Sequence, residues 1–354
     1  MSGVLGGVTT GPDAGFSVDR LRRNLDSFDP DAEARLWLEA LLQHGLDQLP
    51  LPGGGATLQR WQALAAVAQH DLSLAKLYEG HTDAIAIFAE LGAPEAVSPG
   101  QTWGVWAAEA PGGRTRIEPA AHGRVSLHGV KLWCSGAASL SHGLLTAWHP
   151  DGRGPQLVRV AMAQPEVSVS AQAWRAVGMA GSASIDVTFR GALADLVGGV
   201  GDYLSRPGFW HGGAGVATCW YGGALALGTA LRRSVTQSPV SARTGFRLAA
   251  LGRVELALHS TAALLRQAAH WIDAQPRDDA SQVALRVRLA AEATAKRVLD
   301  EAGRALGAAA FCRDARFART AADLPVFVRQ SHAERDLAAL GERVVASSAD
   351  EWAL

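Results

Sequence analysis

Apolar residues change their spacing twice along this chain. Residues 17–98 read as helical. Within 31–44, Leu36, Leu38, Leu41 and Leu42 form the apolar positions, with Asp29 and Pro30 as an N-cap and first-turn pair and Gly45 as the stop. A Pro/Gly loop covers 49–55. Helices over 58–70, 72–80 and 81–91 follow, the last closed by Gly92. Residues 101–190 switch to alternation. Val125 and Leu127 oppose Arg124, Ser126 and His128; Val158, Val160 and Met162 alternate; Ile185, Val187 and Phe189 alternate with Asp186, Thr188 and Arg190. Gly and Pro punctuate these runs, which predicts a short-strand β domain of barrel or sandwich type. From 208 the helical period returns, over 208–231, 247–275 (stripe Leu251, Val254, Leu258, Leu264, Leu265), 279–306, and from Asp323 or Leu324 to about 347.

The predicted architecture is therefore α+β and multidomain. An N-terminal helical domain (1–98) precedes a central β-barrel domain (99–200) and a C-terminal four-helix bundle (201–354). No strand–helix alternation exists, so a doubly wound parallel sheet is excluded. No GxGxxG follows a strand, and GxxxxGK[ST], HExxH and GxSxG are absent.

Composition narrows the classes. The 354 residues are 48% hydrophobic and 19% charged, enough to bury a large core and too apolar for a disordered chain. Net charge is −1, which gives no support to nucleic acid as a partner. Cys134, Cys219 and Cys312 are widely separated with no CxxC pair, which argues against a zinc ribbon and for a reducing, cytoplasmic setting. The N-terminus lacks a basic region followed by a long apolar one, so no secretory signal is expected. Residues 208–231 carry no Asp, Glu, Lys or Arg and are long enough to span a bilayer. Their seven glycines, His211 and two tryptophans favour a tightly packed buried helix over a membrane span.

Five strings, in order, resemble one family. LAAVAQHDLSLAKLYEGHTDAIAIFAELG (64–92) resembles an N-terminal helix pair, LHGVKLWCSG (127–136) a strand-turn "nGxKxWit" pattern, and WRAVGMAGSASIDVTF (174–189) "lGmrgSxtxxvxF". Arg243 to Phe246 resembles an RxxFG element with Arg247 in place of its glycine, and ALGAAAFCRD (305–314) resembles "lGGxGyxxxxxxxRD". The family is the acyl-CoA dehydrogenase flavoproteins. The resemblance implies FAD held between the β domain and the bundle, a homodimer or homotetramer whose neighbouring subunit completes the site, an acyl-CoA or carrier-bound acyl substrate, and a separate electron acceptor.

The resemblance places Trp106, Ala107, Ala108, Trp133, Cys134, Ser135, Arg243, Phe246 and Gly307 on the cofactor. Trp133 would cover one flavin face and Ser135 would donate to its edge. Arg243 would reach the pyrophosphate across the dimer, which suits a guanidinium fork. Residues 106–114 occupy the position of the family's "xTEpxxGSD" loop. Glu109 is kept, Ala108 replaces the threonine, and the Ser-Asp end is missing.

The expected catalytic carboxylate is absent. Counting nine residues from Arg313 reaches Ala322, next to Asp323. The alternative family position falls in FWHGG (209–213), which offers Trp210 or His211, and no Asp or Glu occurs between Asp202 and Glu255. Three readings stay open. Asp323 serves as base, or is merely the N-cap of the last helix. His211 serves as base or donor, or is a satisfied buried histidine. Or the chain runs other chemistry, as a flavin-dependent monooxygenase or oxidase, or as a non-catalytic relative. Glu79, His81 and Asp83 read as a helix joint or as ligand contacts. His332, Glu334 and Asp336 lack metal-site spacing and read as a solvated or intersubunit face.

Overall fold

The computed structural model describes residues 16–109, 111–170, 174–237, 244–347 and 352. Four helices come first: α1 (Val18–Asp26), α2 (Ala34–Gln43), α3 (Thr57–His70) and α4 (Leu72–Glu90). Side-chain caps set two of the starts. Ser17 accepts from Arg20 N at 3.3 Å, and Asp71 accepts from Leu74 N at 2.9 Å. Asp29 caps nothing helical. Its carboxylate instead accepts from Asp31 N at 3.0 Å in a local turn, and α2 starts at Ala34.

Gly80 does not divide α4. Where the sequence suggests a joint, one helix continues, because Gly80 backs onto the next strand: a Cβ there would lie 3.6 Å from Val105 N. Tertiary contact overrides the roughly 1 kcal/mol by which glycine disfavours a helix interior. The joint reading of Glu79, His81 and Asp83 is thereby corrected.

Seven strands follow: β1 (Trp103–Trp106), β2 (Thr115–Pro119), β3 (Val125–Cys134), β4 (His142–Trp148), β5 (Pro155–Ala161), β6 (Val167–Val169) and β7 (Ile185–Val197). β2, β3, β7, β5 and β4 pair antiparallel in that order, and β4 returns to β2 in parallel at Trp148↔Arg116. The ring is a small barrel. β1 adds beside β4 in parallel, and β6 beside β7. Alternation decides the inside: Ile117, Leu127, Leu145, Val158, Val160, Val187 and Phe189 are all buried in one cluster.

The C-terminal region is helical. α5 (Asp202–Ser205) is one turn; α6 (Gly208–Gln237), α7 (Thr244–Ala274) and α8 (Ser281–Leu306) are long and pack on one another, with α3 lying along α6. The glycines of α6 make that approach possible, since a Cβ on Gly222 would stand 2.4 Å from Ala65 O on α3. In place of a fourth long helix come α9 (Ala308–Arg313), α10 (Ala315–Phe327) and α11 (Glu334–Ala346), with Pro325 near the end of α10 and Ala333 at φ 48° before α11. Asp314 caps α10, accepting from Phe317 N at 3.0 Å. Asp323 therefore lies inside a helix and does not open one.

Two helices, α6 and α7, are long and apolar enough to cross a membrane. Most of the apolar window of α6 is buried among α3, α7 and α8, as its glycine content suggested. That of α7 is largely uncovered.

Candidate functional site

One face of α4 lies along the rim of the barrel. Ser73 meets Gly181, Leu77 meets Gly136, and His81 Nδ1 accepts from Trp103 N at 3.3 Å. Against this rim three loops converge: the end of β1, the end of β3, and residues 178–184.

The turn after β1 is fixed electrostatically. Trp106 is buried, its indole lying over the paired Gly104 and Gly143 and donating to Ser135 O at 3.0 Å. Glu109 receives Lys131 Nζ at 2.7 Å, Thr146 Oγ1 at 2.6 Å and Trp148 Nε1 at 3.0 Å. Partial burial pushes the Glu109 carboxyl up, but these donors outweigh it and hold it below the usual range. Lys131 is only 3% exposed, so the pair sits on a buried cation. Ala107 is half-buried and Ala108 is exposed in the loop between.

Trp133 is the least ordinary residue of the rim. It is 58% exposed, and its φ is +58°, a left-handed backbone that a bulky side chain rarely adopts. The ladder of β3 on β7 shifts between Lys131 and Cys134, and Trp133 N donates to Asp186 Oδ1 at 3.3 Å. The strain, of order 1–3 kcal/mol, turns an indole outward into open space. Cys134 points the other way, into the barrel core, and burial pushes its thiol up. Ser135 Oγ is hydrogen-bonded to Ser184 Oγ at 2.7 Å, and Ser184 to Ser182 at 3.0 Å.

The 178–184 loop is pinned to α10. Asp323 Oδ1 accepts from Met179 N at 2.5 Å, and a Cβ on Gly178 would stand 2.1 Å from Ala322 O. Burial pushes the Asp323 carboxyl up to about 6 against the Met179 hydrogen bond. Asp323 is thus committed to holding a loop, and Ala322 presents its carbonyl to that loop.

His211 faces elsewhere. Its Cε1 would be 3.4 Å from a Cβ on Gly53, beside Pro276, and its Nε2 is buried without a hydrogen-bond partner among the described residues. Burial lowers its pKa. The next residue, Gly212, faces α4 instead, 3.0 Å from Asp83 Oδ1 for a Cβ built there. The structure does not bring Asp323 and His211 to one point.

Sequence spacing understated a second face of α4. Lys76, Glu79 and Asp83 share it, at helical intervals, toward the start of α6. Lys76 Nζ pairs with Glu79 at 2.7 Å. Asp83 has no hydrogen-bond or ion-pair partner among the described residues; burial pushes its carboxyl up, and Arg206, Arg60 and Lys76 only partly offset this. Arg288 enters from α8, donating to Gly213 O at 2.8 Å and Gln330 O at 2.9 Å. This face of α4 is charged and largely covered.

Three remaining expectations concern a neighbouring subunit. Phe246 is 80% exposed at the start of α7, Gly307 carries φ +68° between α8 and α9, and Arg243 lies outside the described residues. His332 Nδ1 and Asp336 Oδ1, 3.3 Å apart, pair at the start of α11. A further cleft of about 250 Å³, between α1, α3, α6 and α10, shares no residue with the rim.

No family model matches the chain, and no curated protein matches it in sequence. Solved structures do. KijD3, in complex with FMN and a dTDP-3-amino-4-keto sugar, superposes with a TM-score of 0.77 at 19% identity, over 94% of this chain and 92% of that one. Dibenzothiophene monooxygenase TdsC from Paenibacillus sp. A11-2 gives 0.74 at 20%, over 93% and 95%, and an FMN-bound form of it matches equally. A nitrososynthase from Micromonospora carbonacea var. africana gives 0.76 at 17%, over 92% and 93%. The chain shares the fold of these enzymes. That fold, a helical N-terminal region, a small barrel and C-terminal helices, is the acyl-CoA dehydrogenase-type arrangement the five strings implied.

Proposed function

We infer that the chain is a flavin-dependent oxygenase acting on a small polar molecule. One observation carries this over acyl-CoA desaturation: no free carboxylate stands at either place where an α-proton would be taken. Ala322 and Asp323 are engaged with residues 178 and 179, and no acid lies between Asp202 and Glu255. Oxygenation needs no such base. The KijD3, TdsC and nitrososynthase likeness supports the same direction.

The rim fits a flavin. Trp133 offers an outward aromatic plate, the open 107–108 turn offers backbone groups, and the Lys131–Glu109 pair holds that turn still. The hydroxyl chain of Ser135, Ser184 and Ser182 and the Asp323 clasp hold the loop opposite. FMN is favoured over FAD, because the matching complexes hold FMN. Reduced flavin would supply the two electrons with which O₂ is divided between product and water.

The test adds reduced FMN, generated by a separate reductase, and follows oxygen uptake, in parallel with anaerobic mixing of the flavin-loaded protein with an acyl-CoA series. Substrate-linked oxygen uptake without acyl-CoA bleaching is expected. Rapid bleaching by acyl-CoA, or a protein that binds no flavin, overturns the reading.

Assembly into a homo-oligomer belongs to the same proposal. Phe246 (80%), Leu248 (52%) and Leu256 (68%) leave apolar side chains of α7 bare. Light scattering is expected to give a dimer or tetramer, and Leu256→Glu to give the monomer.

A further inference from the structure

The cleft of about 250 Å³ between α1, α3, α6 and α10 has an apolar floor and a cationic mouth. Leu25, Ala66, Leu227 and Phe317 form the floor, and all four are buried. Alanines leave the space open. On α6, Ala226 and Ala230 stand one turn apart on the face that ends in Arg233; on α3, Ala66 stands one turn before His70. The volume lies just below the roughly 300 Å³ at which small-ligand sites begin, so only a small body fits.

Three guanidinium groups stand at the exposed edge, each from a different helix: Arg22 on α1, Arg233 on α6 and Arg316 on α10. The chain itself uses them lightly. Arg316 has no carboxylate partner among the described residues; its Nη2 donates to the Gln69 carbonyl at 2.9 Å. Arg233 reaches Asp314 at 3.4 Å and Arg22 reaches Asp19 at 3.5 Å, both long for an ion pair. Two acids also line the cleft. Asp314 is engaged as the cap of α10, accepting from Phe317 N at 3.0 Å, and Asp26 is exposed to water. Three arginines against two aspartates leave the cleft a net positive charge.

His70 completes the wall. Phe28 and Trp37 meet its ring edge to face at 5.9 and 5.2 Å and fix its plane. Burial, and then the nearby Arg316, push its pKa down, so the ring is neutral at neutral pH. Neither ring nitrogen has a hydrogen-bond partner among the described residues. A neutral imidazole still has one N–H to give. An apolar hollow edged by lightly used guanidinium groups is the chemistry that holds a carboxylate on a hydrocarbon body. The guanidinium fork takes both carboxylate oxygens, and the body displaces water from the floor.

We propose that this cleft is a second ligand site, for a small organic carboxylate with a compact apolar body, its carboxylate held by Arg316 with Arg22 and Arg233 beside it. The site shares no residue with the flavin rim, and the proposal does not rest on the oxygenase reading.

Calorimetric titration of the full-length protein tests it. Benzoate, cyclohexanecarboxylate and hexanoate are each compared with the matching primary amide, and inorganic phosphate serves as an anion without a body. At least one carboxylate is expected to bind once per chain, about tenfold or more tightly than its amide and than phosphate. Arg316→Gln, which changes an exposed side chain, is expected to erase the preference for acid over amide. Ala230→Leu fills the hollow and is expected to exclude acid and amide alike, with the melting temperature kept or raised. Loading the protein with FMN is expected to leave the carboxylate affinity unchanged. Amides or phosphate binding as well as the acids, no carboxylate binding at all, displacement of the acid by FMN, or either folded variant binding like the parent overturns the proposal. Should Ala230→Leu fail to fold, Arg316→Gln decides alone.

Discussion

Gly178→Ala is expected to destabilise the protein by about 3 kcal/mol and to abolish flavin binding. Its φ is not left-handed, so alanine suffers no backbone strain there. The cost is spatial. The new methyl would stand 2.1 Å from the Ala322 carbonyl oxygen, and a backbone atom inside α10 has no rotamer with which to yield. The loop and α10 must part, and the Met179–Asp323 hydrogen bond goes with them. Thermal melting and flavin fluorescence titration check this. Asp323→Asn is the matched control, since its amide oxygen still accepts from Met179. It also isolates a pH effect. The folded Asp323 carboxyl is raised to about 6, so its protonated form is the stabilising one: that contribution is full below the ordinary aspartate range and is lost as pH rises through about 6. The Asp323→Asn substitution should remove this slope. An alanine variant at 178 that melts like the parent would show that the loop does not hold its place through α10.

Lys131→Met is the second large effect, about 2 kcal/mol of stability together with weakened flavin binding. Methionine matches the volume but leaves Glu109, Thr146 O and Thr146 Oγ1 without their shared donor. Glu109 is 39% exposed and can regain water, which keeps the loss below that of a fully buried pair. The pH signature has the opposite sense to that of Asp323. Glu109 is held below its ordinary value, so its contribution is present above the glutamate range and fades as pH falls through the lowered value. Melting curves between about pH 3 and 8 should show this acid-side loss in the parent and not in the variant.

The barrel was readable because its evidence is local. Val125 and Leu127, Val158 and Val160, Val187 and Phe189 alternate in sequence and are all buried in the structure. Trp133 and Ser135 are singled out by motif spacing, although nothing in the letters shows that the tryptophan stands at a left-handed φ. Other features were set by distant partners and could not be read. Gly80 looks like a stop until Val105 is placed against it. Asp323, next to Leu324 and Pro325, looks like a cap until Asp314 is seen to take that role and Met179 to claim the carboxylate. Asp83 sat in a run of charged residues. That Lys76 and Arg206 pair with Glu79 and Glu90 instead is a fact about pairing in space.

The topology also bears on how the chain matures during synthesis. The five strands of the ring and the two beside it come from one uninterrupted stretch, so the barrel can close soon after β7 leaves the ribosome. The first four helices cannot finish so early. α3 presents Trp61 and Leu64 to Gly215 of α6, and Ala65 and Ala68 to Gly222. Their cover is translated only after the whole barrel, and α10 later still. For that interval the amino-terminal third has an apolar face and no partner for it, which makes it the stretch of the nascent chain most exposed to holdase chaperones and to aggregation.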